Sequence, residues 1–246
     1  MTEPHLSLII PALREAPIIQ QNLRAVAVFL RAHDMMQTTE VVVVAAEVGD
    51  GTARLAREVA DEFEHFQLIT PEARVGKGRD VLLGFQAATG KYQIFMDADL
   101  ATPLRHIPQL VALLEKGNDM AIGVRPLAEI HHGLRAFISL FGNMLTRRVL
   151  GIVISDTQCG FKGFRRDMAK IVFARQTVLG WGFDMEIMMI ARLQGAKISQ
   201  LPLPDWHDPR ETDEFTHKKR VGMGAAISTF RELLVIKWRS WRGAYR

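Results

Sequence analysis

The sequence predicts an α/β fold, a mostly parallel open sheet with helices on both faces, followed by a basic amphipathic C-terminal helix. Residues 40–46 are almost all valine, the composition of a strand covered on both faces. Short apolar runs alternate with helical patterns through the N-terminal half, which builds successive strand–helix–strand units. A chain of 246 residues at 48% hydrophobic content is long enough to bury the core of one large domain. The expected division places the α/β domain at 1–212 and a basic loop with the amphipathic helix at 213–246.

In order, residues 5–11 read as a strand, and 16–33 as a helix with Leu23, Val26 and Leu30 at helical spacing. The valine strand follows, then a turn at 49–52, a helix to about 64 and a third strand at 66–70. A glycine-containing basic loop, Arg74 to Arg79, leads into a helix at 80–88. Residues 92–96 form a short buried strand, 104–116 a helix and 120–124 a further strand. An amphipathic helix is expected at 134–150, with Phe137, Leu140, Phe141, Met144 and Leu145 on its apolar face and Arg135, Arg147 and Arg148 beside it. A helix opens near Gly182 and a last strand covers 198–203. The closing helix carries Ile227, Phe230, Leu234, Trp238 and Trp241 on one stripe, flanked by arginine and lysine.

Charge and composition narrow the class. From residue 213 onward eight Lys/Arg stand against three acids, so the basicity belongs to the tail and not to the domain. Two tryptophans and many arginines suit an interfacial anchor on anionic lipid; docking on the domain or pairing with another subunit would use the same stripe. No binding module or aromatic platform accompanies the charge, so nucleic acid is not expected. The single cysteine, Cys159, excludes an intramolecular disulfide and a cysteine-rich zinc site. That suits a reducing cytoplasm. The N-terminus lacks the basic start of a secretory signal, and Arg147 and Arg148 interrupt the best candidate for a membrane span. The expected location is therefore cytoplasmic, peripheral on the inner membrane face.

The chemistry concentrates at Asp97 and Asp99, where the strand 92–96 ends. Two carboxylates one residue apart repel each other and lose water, so something positive has to offset them. Mg2+ or Mn2+ fits, because hard cations take one or two carboxylates plus the oxygens of a bound diphosphate. Alternatively, Asp99 caps the following helix and Asp97 faces solvent. Lys77 and the arginines of its loop can pair with phosphate, which a solvated basic turn would resemble. His207 and His217 in a charged loop read as solvated.

Three motifs, DADLATP at 97–103, DTQCGFK at 156–162 and WGFDMEI at 181–187, occur in an order that resembles the inverting family 2 glycosyltransferases of GT-A fold. The similarity extends over roughly residues 5 to 206. It is greatest to the branch that moves a sugar from a nucleotide diphosphate to a dolichyl-type polyprenyl phosphate. The resemblance implies a UDP- or GDP-linked sugar donor bound by Pro11, Glu15, Lys77, Asp97 and Gln158, with Asp97 and Asp99 on the metal. It implies an acceptor phosphate held by Arg125 and Arg135, and a catalytic or orienting role for Asp184; as a sequence feature alone, Asp184 reads equally as a helix N-cap. Lys218, in a basic run that stands where the family has a Gly-Ser-Lys loop this chain lacks, is a further candidate for the acceptor phosphate. Homo-oligomers are a further expectation.

The chain departs from the family at the nucleotide end. Ala45-Ala46 stand where the family has two aspartates, and Arg14 where it has Asn. Methyl groups cannot read a base edge, so relaxed base recognition is expected, with Glu47 as a substitute contact. Two rivals follow: a soluble transferase with a hydroxyl acceptor and Asp184 as base, and a non-catalytic nucleotide-binding protein.

Overall fold

A computed structural model describes residues 3–126, 144, 147–151, 154–207 and 223–246, with side chains of the last segment described from Arg231 onward. The alternation of the N-terminal half appears as β1 (Leu6–Pro11), α1 (Ile19–Ala32), β2 (Thr39–Val44), α2 (Thr52–Arg57), β3 (His65–Ile69), α3 (Lys77–Ala87), β4 (Tyr92–Met96), α4 (His106–Glu115) and β5 (Met120–Val124). Strand side chains divide between two cores with the period of two that pleating imposes. Leu8, Ile10, Val41 and Val43 pack with α1 and α4, while Ile9, Val42 and Val44 pack with α3. The valine run is therefore covered on both faces, as its composition requires.

The second half adds two elements that the sequence reading did not contain, β6 (Phe161–Arg165) and α5 (Arg166–Arg175), before α6 (Phe183–Leu193), β7 (Ile198–Pro202) and α7 (Met223–Trp241). Among the described residues one seven-stranded sheet forms in the order β3-β2-β1-β4-β6-β5-β7. All its pairings are parallel except those of β6, which runs antiparallel between β4 and β5. Its register sets Phe161 opposite Met96 and Arg165 opposite Tyr92. Consequently the residues just ahead of β6 arrive where β4 ends. Gly163 lets α4 approach, since a Cβ there would lie 2.9 Å from Leu110 Cδ2.

Two further expectations change. The helix after the basic loop starts at Lys77 and not at residue 80, so the loop lysine sits in its first turn. In the last helix, the buried face is Leu233 and Ile236, joined by Tyr245 just beyond it, and these pack in the core with α6. Leu234, Trp238 and Trp241 of the expected stripe are 50%, 52% and 78% exposed. Docking on the domain thus uses a different face, because adjacent positions such as 233 and 234 point about 100° apart round a helix. Ile227 and Phe230 lie outside the residues whose side chains are described, and most of the expected helix 134–150 also lies outside the described residues.

Buried Glu186 ties these layers together. It accepts the N–H groups of Thr177 and Val178, each at 2.7 Å, and the Tyr245 hydroxyl at 2.7 Å. Asp80, in the first turn of α3, is also buried, but its Oδ1 has no partner. Burial pushes its carboxyl up to about 6, against the pull of Arg74 and Arg79.

The folded state therefore bears a cost for ionising Asp80 that is absent at low pH and complete above the folded value. Asp80→Asn is expected to stabilise the fold by about 2 kcal/mol at pH 7 and by almost nothing near pH 4. Urea midpoints at the two pH values check it.

Candidate active site

Because β1 to β4 are parallel, their carboxyl ends share one edge, where open α/β sheets bind ligands. Backbone and side-chain bonds draw the following loops together. Ala12 N–H donates to Val44 O at 2.8 Å, Ala45 N–H to Ile69 O at 2.9 Å, Glu15 N–H to Thr52 Oγ1 at 3.0 Å, and Asn22 Nδ2 to Ala98 O at 2.8 Å. Pro11 closes β1 on this edge, and Glu15 is half-buried beside it. Ala45 and Ala46 are buried, whereas Glu47 is exposed as the first acid beyond them. Arg14 is exposed with φ 59°, a left-handed conformation that asparagine tolerates better than arginine.

Asp97 is the first residue past β4. Its Oδ1 lies 2.5 Å from Lys77 Nζ. Its Oδ2 lies against Gly160, where a Cβ would come within 2.0 Å. The antiparallel register of β6 makes this approach, and only a glycine leaves room for it. Asp99 accepts the Ala101 N–H at 3.1 Å through Oδ1, inside a turn with Leu100 at φ 53°. It caps that turn and not α4, which begins further on at His106. Burial alone would push the Lys77 ammonium down, but Asp97, Asp184 and Asp99 together hold it above its ordinary range. Lys77 thus stays charged, with its Nζ 5.7 Å from the centre of the Trp181 ring.

The segment 156–160 is built around buried Asp156. Arg125 donates to it through Nε at 2.6 Å and Nη2 at 3.0 Å, a bidentate pair, with the guanidinium 5.3 Å from the Trp206 ring centre. Burial pushes the Asp156 carboxyl up, and Arg125 more than reverses this, so it ionises below the usual carboxylate range. The expected acceptor-binding arginine is therefore anchored along one edge by a carboxylate of the neighbouring loop. Gln158 is exposed at the rim, its N–H held by Asp156 Oδ1 at 3.1 Å. Cys159 is fully buried and its thiol is pushed up to about 12, chiefly by burial, so it is a small core residue.

Asp184 is in the first turn of α6 but does not cap it; Gly182 holds that position. Its partner is Lys162, which has no exposed surface and donates at 2.5 Å to Asp184 Oδ1 and at 2.5 Å to Cys159 O. Burial raises the Asp184 carboxyl, opposed by the charges of Lys162 and Lys77. The sequence reading assigned Lys162 no role. The available signal was a lysine between two phenylalanines in FKGF, where an unpaired charge would be costly. His207 is exposed. Arg135, His217 and Lys218 lie outside the described residues.

Among the described residues no cluster of three or more His, Cys, Asp or Glu can hold a metal ion by itself. Asp97 and Asp99 nevertheless offer hard oxygen donors beside a position that demands positive charge. They fit Mg2+ or Mn2+ of the kind that completes its shell with water and a ligand's phosphate oxygens.

Removing Lys162 would leave Asp184 buried and unpaired. Lys162→Met is expected to destabilise the fold by about 3–5 kcal/mol, and Lys162→Met/Asp184→Leu by markedly less than the sum of the single changes. Urea unfolding of the three variants measures the coupling.

Residues 7–173 match the model of Glycosyl transferase family 2. A dolichyl-phosphate beta-glucosyltransferase of Trichomonas vaginalis is 33% identical over 83% of this chain, and glycosyltransferase AglD of Haloferax volcanii is 28% identical over 90% of it. The chain spans 66% and 36% of the lengths of these two relatives. Glucosyl-3-phosphoglycerate synthase of Mycobacterium tuberculosis, solved with Mn2+, UDP and phosphoglyceric acid, has a similar fold. Its TM-score is 0.65 at 16% identity, over 96% of this chain and 78% of that one. The architecture is the GT-A fold, with β4, Asp97, Asp99 and β6 all inside the matched span, and the chain belongs to glycosyl transferase family 2.

Proposed function

We propose that the protein transfers a sugar from a UDP- or GDP-linked donor to a polyprenyl phosphate at a membrane surface. The observation that carries this reading is the pair Asp97 and Asp99 at the mouth of β4, beside a lysine kept charged by three carboxylates. Such a site suits a diphosphate that must leave as an anion. The dolichyl-phosphate glucosyltransferases among the relatives support the acceptor, and the Mn2+ and UDP of the structural neighbour support a divalent cation.

Asp97 and Asp99 would hold Mg2+ or Mn2+, and the ion would supply positive charge for the departing diphosphate. Lys77 adds a second positive charge from the N-terminus of α3, where backbone N–H groups also favour phosphate. Gln158 closes over the diphosphate from the rim, and Pro11, Glu15 and Glu47 border the nucleoside. Arg125, oriented by Asp156, meets the acceptor phosphate together with Arg135 and Lys218. A phosphate oxygen then attacks the anomeric carbon from the face opposite the leaving group, and configuration inverts. Because that oxygen is already anionic, it needs little help from a base. The enclosure of Asp184 with Lys162 favours a positioning role over proton transfer. The buried methyl groups at 45 and 46 favour relaxed base recognition.

The exposed face of α7 supports the surface location. Arg242 lies 4.5 Å from the Trp238 ring centre and Lys237 lies 5.7 Å from that of Trp241, an arrangement of amphipathic rings and cations suited to anionic headgroups. Among the described residues no helix is long and apolar enough to cross a membrane. We place the protein on the cytoplasmic face as a peripheral enzyme.

Incubation with a panel of UDP-, GDP- and dTDP-sugars, Mn2+ and polyprenyl phosphate is expected to give a glycosylated lipid with at least one donor. EDTA abolishes the product, and Asp97→Asn lowers its rate at least about a hundredfold. Neither transfer nor donor hydrolysis with any donor overturns the reading. Separately, Trp238→Ser/Trp241→Ser is expected to abolish co-flotation with phosphatidylserine-containing vesicles while leaving the urea midpoint unchanged. Undiminished flotation would remove α7 as the anchor.

A further inference from the structure

One oxygen of Asp97 is ion-paired and the other is hemmed in by backbone. Oδ2 lies against the backbone at Gly160, and Oδ1 is the oxygen that Lys77 occupies at 2.5 Å. A cation ligated through Oδ1 has to take the place of the ammonium, since two positive centres cannot share that position without strong repulsion. The backbone on either side of Lys77 is fixed. A Cβ at Gly76 would fall 2.4 Å from Leu179 O, and one at Gly78 would fall 2.7 Å from Phe183 Cβ. The side chain, by contrast, is a flexible four-carbon stem. It has somewhere to go: Asp184 and Asp99 also act on its charge, and the 63%-exposed Trp181 ring lies beside it.

We propose that Lys77 is a resident counter-ion for Asp97, displaced when a divalent cation binds, and that the released ammonium becomes the group that meets the diphosphate. This rests on the reading of Asp97 and Asp99 as the metal site and adds an exchange of partners to it. Metal alone must break the Lys77–Asp97 pair and leaves the lysine only the Trp181 ring and the remaining carboxylates, without a new close ion pair. With a nucleoside diphosphate present, the same displacement ends in a new ion pair. Metal and nucleotide then each raise the other's affinity by one common factor, as linkage requires. Lys77 thereby discourages cation binding until a donor is at hand.

The test measures Mn2+ binding to the full-length protein by loss of the free-ion electron paramagnetic resonance signal, without nucleotide and with saturating UDP or GDP. The wild type is expected to bind Mn2+ weakly alone and more tightly with nucleotide. Lys77→Met is expected to bind Mn2+ alone about tenfold more tightly than the wild type, and to gain less from the nucleotide. Lys77→Arg keeps the charge and is expected to retain weak binding of Mn2+ alone; circular dichroism confirms that both variants are folded. If Lys77→Met binds Mn2+ alone no more tightly than the wild type, the exchange is wrong while the metal site stands. If the wild type binds no Mn2+ even with nucleotide, the metal reading fails and takes the exchange with it.

Discussion

A lysine ammonium with no exposed surface cannot remain charged in an apolar interior unless a carboxylate lies against it. Lys162 is such a group, and its bonds to Asp184 Oδ1 and Cys159 O bring three separate stretches together. They join the antiparallel strand β6, the loop before it and the first turn of α6. With β6 fixed beside β4, Gly160 has to lie against Asp97, and the end of β4 becomes a cleft wall instead of an open turn. Removing the pair would cost more than its own interaction, because every contact made by that loop depends on where β6 runs.

The same principle organises the rim. Each charge that the fold needs in place is held by a partner from another element: Asp97 by Lys77, Asp156 by Arg125, Asp184 by Lys162. The Arg125–Asp156 and Lys162–Asp184 pairs do not have to reorganise when a charged ligand arrives, which is the condition for strong electrostatic stabilisation of a developing charge; Lys77–Asp97 is the one pair proposed to exchange. Glu186 does comparable work without facing the cleft. By taking two backbone N–H groups of the 177–178 segment and the Tyr245 hydroxyl, it sets the floor against which the Lys77 loop packs.

Much of this was legible from residue order. The valine run announced a strand covered on both faces, and the succession of strand–helix–strand units announced the parallel pairing of β1 to β4. The family resemblance was correct, and Asp97, Lys77 and Asp184 do gather in one cluster of charge. Strand β6 was not legible, because FKGFR has neither alternation nor an apolar run, and its central lysine and glycine make sense only once Asp184 and α4 are in place. Helix α5 was missed for a related reason: RDMAKIVFAR hides a short apolar face among charges. In α7 two apolar stripes lie side by side, and periodicity alone cannot say which one faces the protein. Partners were the least accessible feature, since Lys77 and Asp97 are 20 positions apart and Lys162 and Asp184 are 22 apart.

The carboxylate of Glu232, on α7, accepts the Gly182 N–H at 2.7 Å. It presses so close to Gly180 and Gly182 that a Cβ at either would stand 2.5 Å from it. Trp181, between these glycines, borders Lys77. The terminal helix is therefore continuous with the lip of the catalytic cleft. A chain cut ahead of that helix would lose a piece of the lip's scaffolding, so a truncation made to test the proposed lipid anchor would disturb the cleft as well.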